Sequence, residues 1–154
     1  KGTNGLAQDH GWIFEVPAAE RGLAAPVPLT AMGRFNHEAA AVDPRTGIVY
    51  LTEDRDDSLF YRFLPATRGA LSRGGRLQAL AWRDVEWIDM DGVEAPEDDL
   101  RKRGHAKGGV LFARGEGIHF GDGELYFCCT NGGAAKLSQI MRYRPSRFEG
   151  QSSE

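Results

Sequence analysis

The sequence predicts an all-β chain: a partial β-propeller of about three blades with one short helix. Three observations lead there. The chain has 20 glycines, which cluster between short apolar runs. Prolines 17, 65 and 145 stop several of those runs. Two hairpin regions also resemble each other at a fixed offset, which in an all-β chain points to a propeller rather than a sandwich.

The elements follow in order. Gly11–Val16 reads as a strand ended by Pro17, and Glu38–Val42 as a second. Asp43-Pro44-Arg45-Thr46-Gly47 is a turn, with proline presetting φ and glycine taking a left-handed position. Ile48–Thr52 and Leu59–Leu64 are the next strands, and Pro65 stops the latter. Residues 66–75 form a loop whose arginines suit a solvated turn. Leu77–Trp82 is a strand. Pro96–Arg103 carries acids first and bases last, as a short helix does. Gly117–Phe120, the turn Gly121-Asp122-Gly123, and Glu124–Thr130 form a hairpin. Gln139–Arg144 is the last strand, followed by a polar tail.

Glu38 and Glu116 open the two similar hairpins and Thr52 and Thr130 close their second strands; both pairs lie 78 residues apart. A blade takes about 40–50 residues, so this offset fits two blades with a less regular one between. The chain then reads as a single incomplete propeller domain, 1–154, with blade-like units at 10–65, 76–95 and 110–145. Closing a ring takes about four blades or more. The chain is therefore a piece, or several copies complete the ring, or the fold is not a propeller.

Composition bounds the function. The 154 residues are 41% hydrophobic, enough for one domain with a core. A net charge of −3 offers no broad basic surface for nucleic acid or anionic membrane. No apolar run approaches the roughly 18 residues of a membrane span. Lys1–Gly5 has no apolar segment behind it and is not a signal peptide, as a processed exported chain would also show. Cys128 and Cys129 are neighbours on a strand, point to opposite faces, and read as small apolar residues.

The acids carry the chemistry. In a propeller the start of an inner strand faces the central channel, so Glu38 and Glu116 would converge there and repel unless cations sat between them. Oxygen-only ligands suit calcium or another hard ion. Glu53 and Asp54 add two acids at a strand end. The competing reading leaves Glu38 half-exposed and pairs Glu53 and Asp54 with Arg55 and Arg62; spacing alone keeps both open. Asp89-Met90-Asp91-Gly92 lacks the later ligands of an EF-hand and reads as a turn. His37 is either a ligand or base or a packing residue, and His10, His105 and His119 have no zinc spacing. Arg114, two residues before Glu116, shares its face under strand alternation. It suits either a phosphate, which it can fork, or a surface salt bridge.

Gly33-Arg34-Phe35-Asn36-His37-Glu38-Ala39-Ala40-Ala41-Val42-Asp43-Pro44, with Val49–Arg55 and Phe60–Pro65, resembles the signature of the PhoX alkaline phosphatase family. Gly11–Val16 and Ala113-Arg114-Gly115-Glu116-Gly117 resemble further segments of it, and the likeness runs from about residue 10 to 150. The resemblance implies an exported, periplasmic or secreted, propeller that uses iron and calcium to hydrolyse phosphomonoesters. It implies that Glu38 and Glu116 are metal ligands, that Glu53 and Asp54 bind calcium, and that Arg114 holds the substrate phosphate. The family's upstream Asn-Cys-Ala-Gly-Gly type segment, whose cysteine ligates iron, has no match here, and Cys128 and Cys129 do not substitute for it. The expectation is an incomplete iron site, a chain that is inactive or weakly active alone, and reliance on remaining blades or on self-association. Two other classes stay open. One is a calcium-dependent propeller lactonase or sugar-acid hydrolase, suggested by Glu116-Gly117. The other is a non-catalytic propeller module for binding or assembly.

Overall fold

The computed structural model describes residues 9–82 and 86–151; Lys1–Gly5 lies outside them. The chain forms two antiparallel meanders and one helix. The first sheet holds β1 (His37–Val42), β2 (Val49–Glu53), β3 (Phe60–Pro65), β4 (Gly75–Leu80) and β5 (Trp87–Asp89), paired in chain order. The second holds β6 (Gly115–Gly121), β7 (Glu124–Cys129) and β8 (Gln139–Tyr143). Helix α1 (Leu100–Ala106) lies between them in sequence. No helix among the described residues is long and apolar enough to cross a membrane.

Alternation along β2 builds two cores at once. Val49 and Leu51 face a core completed by Phe35, Tyr61, Phe63, Leu77 and Leu100. Tyr50 faces the other way, into a core shared with the second sheet. There Phe60 stacks on Phe127 with ring centroids 4.3 Å apart. A strand buried on both faces reads as the continuous apolar run seen at 48–51. β1 and β6, the first strands of the two sheets, pack against each other.

The turns form where the sequence placed them. Asp43 Oδ1 accepts from Arg45 N at 2.8 Å, and Gly47 takes φ 79°. The 121–124 hairpin turn joins β6 to β7.

Three expectations need correction. Gly11–Val16 is not a ladder strand: only Phe14 makes an isolated bridge, to Pro28. Phe14 and Val16 stay exposed, and Ile13 packs on the first core and accepts from Leu29 N without a ladder forming. Segment 76–95 is not a separate unit, because β4 and β5 extend the first sheet, β4 covering the outer edge of β3 and β5 that of β4. The helix starts at Leu100 rather than Pro96, because Asp98 sits at φ 52°, which an α-helix cannot contain.

Candidate functional site

The site candidate lies where β2 ends and β6 begins. Thr52 Oγ1 accepts from Ala39 N at 3.1 Å and donates to Glu116 O at 2.7 Å, joining β1, β2 and β6 at one atom. Gly115 allows this close approach: a Cβ there would stand 3.2 Å from Glu53 O and from Thr52 Cβ.

Arg114 is fixed by its backbone. Its φ is 54°, its N donates to Arg55 O at 2.8 Å, and its O accepts from Thr130 N at 3.0 Å. The side chain forks onto Asp54, Nε to Oδ1 at 2.7 Å and Nη2 to Oδ2 at 2.9 Å. Glu116 Oε1 lies 3.6 Å from the same Nη2. Asp54 is itself held, because its N donates to Asn36 O at 3.0 Å and Asn36 Nδ2 donates to its O at 2.7 Å. The guanidinium holds the Asp54 carboxyl below the usual range, and Asp54 raises the Arg114 pKa in turn.

The arrangement leaves a usable face. Asp54 occupies the Nε–Nη2 side of the guanidinium, and Nη1 donates to nothing among the described residues. Nη1 is the guanidinium nitrogen left for a further acceptor, while Nη2 is shared between Asp54 and the nearby Glu116.

Glu53 and Asp54, adjacent in sequence, separate at this point. Strand alternation sends Glu53 into the first core, where it is fully buried and accepts from Tyr61 OH at 2.8 Å through Oε2. Burial pushes its pKa up to about 7. His37 is its register partner on β1. His37 Nε2 lies 3.0 Å from Gly33 O and its ring packs on Phe35, and burial lowers its pKa to about 4. Nδ1 of His37 and Oε1 of Glu53 are buried without a partner. The alternative pairing of Glu53 and Asp54 with Arg55 and Arg62 does not form. Arg55 meets Asp98 at 3.0 Å, and Arg62 meets Glu149 at 2.6 Å.

The structure therefore joins Asp54, Arg114 and Glu116, sets Glu53 apart, and leaves Glu38 exposed on β1 with no ion pair among the described residues. Among those residues, no three His, Cys, Asp or Glu side chains come together in a way that could hold a metal ion. Asp54 is committed to Arg114 and Glu53 to Tyr61, so the donors present do not make up a metal centre by themselves. Cys128 and Cys129 are free thiols on opposite faces of β7.

Sequence reasoning missed Asn36 as a clamp on Asp54, although it sits two residues before Glu38 in the quoted block. It also missed Glu149, which lies in a tail read only as polar.

These features define a mainly β protein with Arg114, Asp54 and Glu116 gathered at the junction of two antiparallel sheets. The family model described as alkaline phosphatase PhoX matches residues 2–153, nearly the entire chain, and the chain belongs to that family. No match was found among curated proteins or solved structures. Membership supports an alkaline-phosphatase-like hydrolase function and a small-molecule phosphoester as substrate. The family is metal-dependent.

Proposed function

We propose that this chain supplies the phosphate-binding arm of a PhoX-type phosphomonoester hydrolase built on propeller blades. The observation that carries the reading is the Arg114 guanidinium, held side-on by Asp54 through Nε and Nη2, with Nη1 left without a hydrogen bond among the described residues. A phosphate dianion meeting Nη1 gains a charge-assisted hydrogen bond without reorganising the arginine, because Asp54 and the strained backbone have already oriented it, and a second from Nη2 once Glu116 gives way. The left-handed φ of Arg114 supports the same reading, since such strain persists where surrounding contacts over-determine it.

The two meanders with touching first strands support adjacent blades. In that frame Glu38 and Glu116, at the starts of β1 and β6, are proposed to offer carboxylates toward the channel and its iron and calcium. Asp54 would serve calcium only by leaving Arg114, and Glu53 only through its unpartnered Oε1. Because the described donors do not complete a centre, the remaining ligands come from other segments or copies, and the chain alone turns over phosphoesters weakly or not at all. An exported location, periplasmic or secreted, belongs to the same proposal.

The test uses the chain with iron and calcium added. Inorganic phosphate should bind, Arg114→Gln should abolish that binding, and hydrolysis of p-nitrophenyl phosphate should stay near background. Phosphate binding that survives Arg114→Gln would sink the site. Efficient turnover would sink the claim that the centre is incomplete. Cell fractionation of the native protein tests the location.

A further inference from the structure

We infer that the groove beside Arg114 receives the organic group of the phosphoester and selects flat, apolar alcohols. The inference rests on the phosphate reading of Arg114 above. The groove has a volume of about 590 Å³ and is walled by Trp82, Leu111, Phe112, Cys129 and Met141. Small-ligand sites span about 300–1,000 Å³ and are mostly apolar with a few polar groups at defined points. Here the polar groups are Asp56 and Asn131, hydrogen-bonded to each other at 2.7 Å, with Lys136 and Gln139; Ala113, one residue before Arg114, also lines the groove.

The backbone that carries Arg114 and the groove wall is tied down. Phe112 N donates to Ser58 O at 2.9 Å, Arg114 N to Arg55 O at 2.8 Å, and Asn131 N to Ala113 O at 3.4 Å. The segment carrying both features is thus tied to the β2–β3 loop on one side and to the end of β7 on the other.

The walls are unusual for their residue types. Trp82 is 78% exposed and Leu111 55%, in a chain that buries Phe60, Tyr61 and Phe63 completely. Clustered exposed apolar side chains mark binding surfaces. The lining carries one charge of each sign, Asp56 and Lys136, so it presents no net charge to a dianion, while Arg114 lies one residue beyond the lining residue Ala113. An anionic head at Arg114 with a neutral ring against Trp82 fits that arrangement.

The experiment titrates the chain, with calcium and iron present, against 1-naphthyl phosphate, glycerol 2-phosphate and inorganic phosphate by calorimetry. The naphthyl ester should bind about tenfold tighter than the glycerol ester, as partial burial of an aromatic ring predicts. Trp82→Ala should erase that ratio and leave inorganic phosphate unchanged; Leu111→Ser should reduce it. Both positions are exposed, and circular dichroism confirms that the variants fold. Equal affinity for the two esters, with phosphate binding still dependent on Arg114, overturns the groove and spares the Arg114 reading. Loss of all phosphate binding in the wild type, or no effect of Arg114→Gln, overturns both. A dimer in light scattering that Trp82→Ala dissolves, with the ester ratio unchanged, overturns the inference in favour of self-association.

Discussion

Arg62 meets Glu149 at 2.6 Å and Arg114 meets Asp54 at 2.7 Å, two close guanidinium–carboxylate pairs. Each joins residues of the first sheet to residues at or beyond the second. The surroundings differ. The Arg62 and Glu149 side chains are 3% and 0% exposed; those of Arg114 and Asp54 are 45% and 22% exposed. Around Glu149 the hydrogen bonds close on themselves: Tyr50 OH, Tyr143 OH and Ser146 N all donate to it. Arg62 donates to Gln78 and lies over the Trp87 ring at 4.4 Å. Around Arg114 one donor, Nη1, remains open among the described residues. A buried pair with every partner supplied can only hold structure. A half-exposed pair with an open donor can exchange partners with a ligand.

The largest expected effect follows from the buried pair. Glu149→Ala should cost about 3–5 kcal/mol in urea unfolding, because it removes the carboxylate that pairs with the buried Arg62 guanidinium and accepts from two tyrosine hydroxyls. Replacing both members with leucine should cost less than Glu149→Ala alone. If the single change is as mild as a surface substitution, the contrast between the two pairs fails.

A second effect comes from the buried titrating groups beside the open pair. Glu53 has a folded pKa near 7 against 4.5 when unfolded, so its contribution is complete below pH 4.5 and is lost as pH rises through 7. His37 has a folded pKa near 4 against 6.5, so its contribution is complete above pH 6.5 and is lost as pH falls through 4. The slopes oppose each other between pH 4.5 and 6.5, and the wild type should show a nearly flat stability there. Glu53→Gln should leave stability rising with pH across that window, and His37→Gln should leave it falling, each by about 3 kcal/mol over the full span. Parallel curves for wild type and both variants would rule out the assigned burial.

Thr52→Val should cost about 1–2 kcal/mol, since Glu116 O loses its donor and Ala39 N its acceptor at a buried seam. The measurement is the shift in urea midpoint at unchanged slope. The smallest effect on stability is expected from Arg114→Gln, which should leave the midpoint near that of wild type while abolishing phosphate binding. A large drop in stability would mean that the open pair is a structural tie like the buried one.

Legibility differed between elements. The hairpins 38–52 and 117–130 were readable because turn chemistry and strand length are local. The helix was misplaced by four residues, because nothing in Pro96–Asp99 announces a left-handed Asp98. β5 went unread, because three residues carry too little pattern to separate a strand from a turn. Of the candidate site, Arg114 and Glu116 do meet, but not by the strand alternation expected, because Arg114 stands before β6 at φ 54°. The Asp54–Arg114 fork spans 60 positions and has no local signal.

By itself the sequence determined the β-rich pattern, the two similar hairpins and membership of the PhoX family, because strand period, turn residues and motif blocks are properties of neighbouring residues. Only the tertiary structure decided that Glu53 turns into a core while Asp54 turns to an arginine. It alone decided that β4 and β5 extend the first sheet, and that a tail glutamate joins the buried network. Each of those outcomes depends on which distant surface covers a given face, and burial sets the free energy of a charge far more strongly than its neighbours in the chain do.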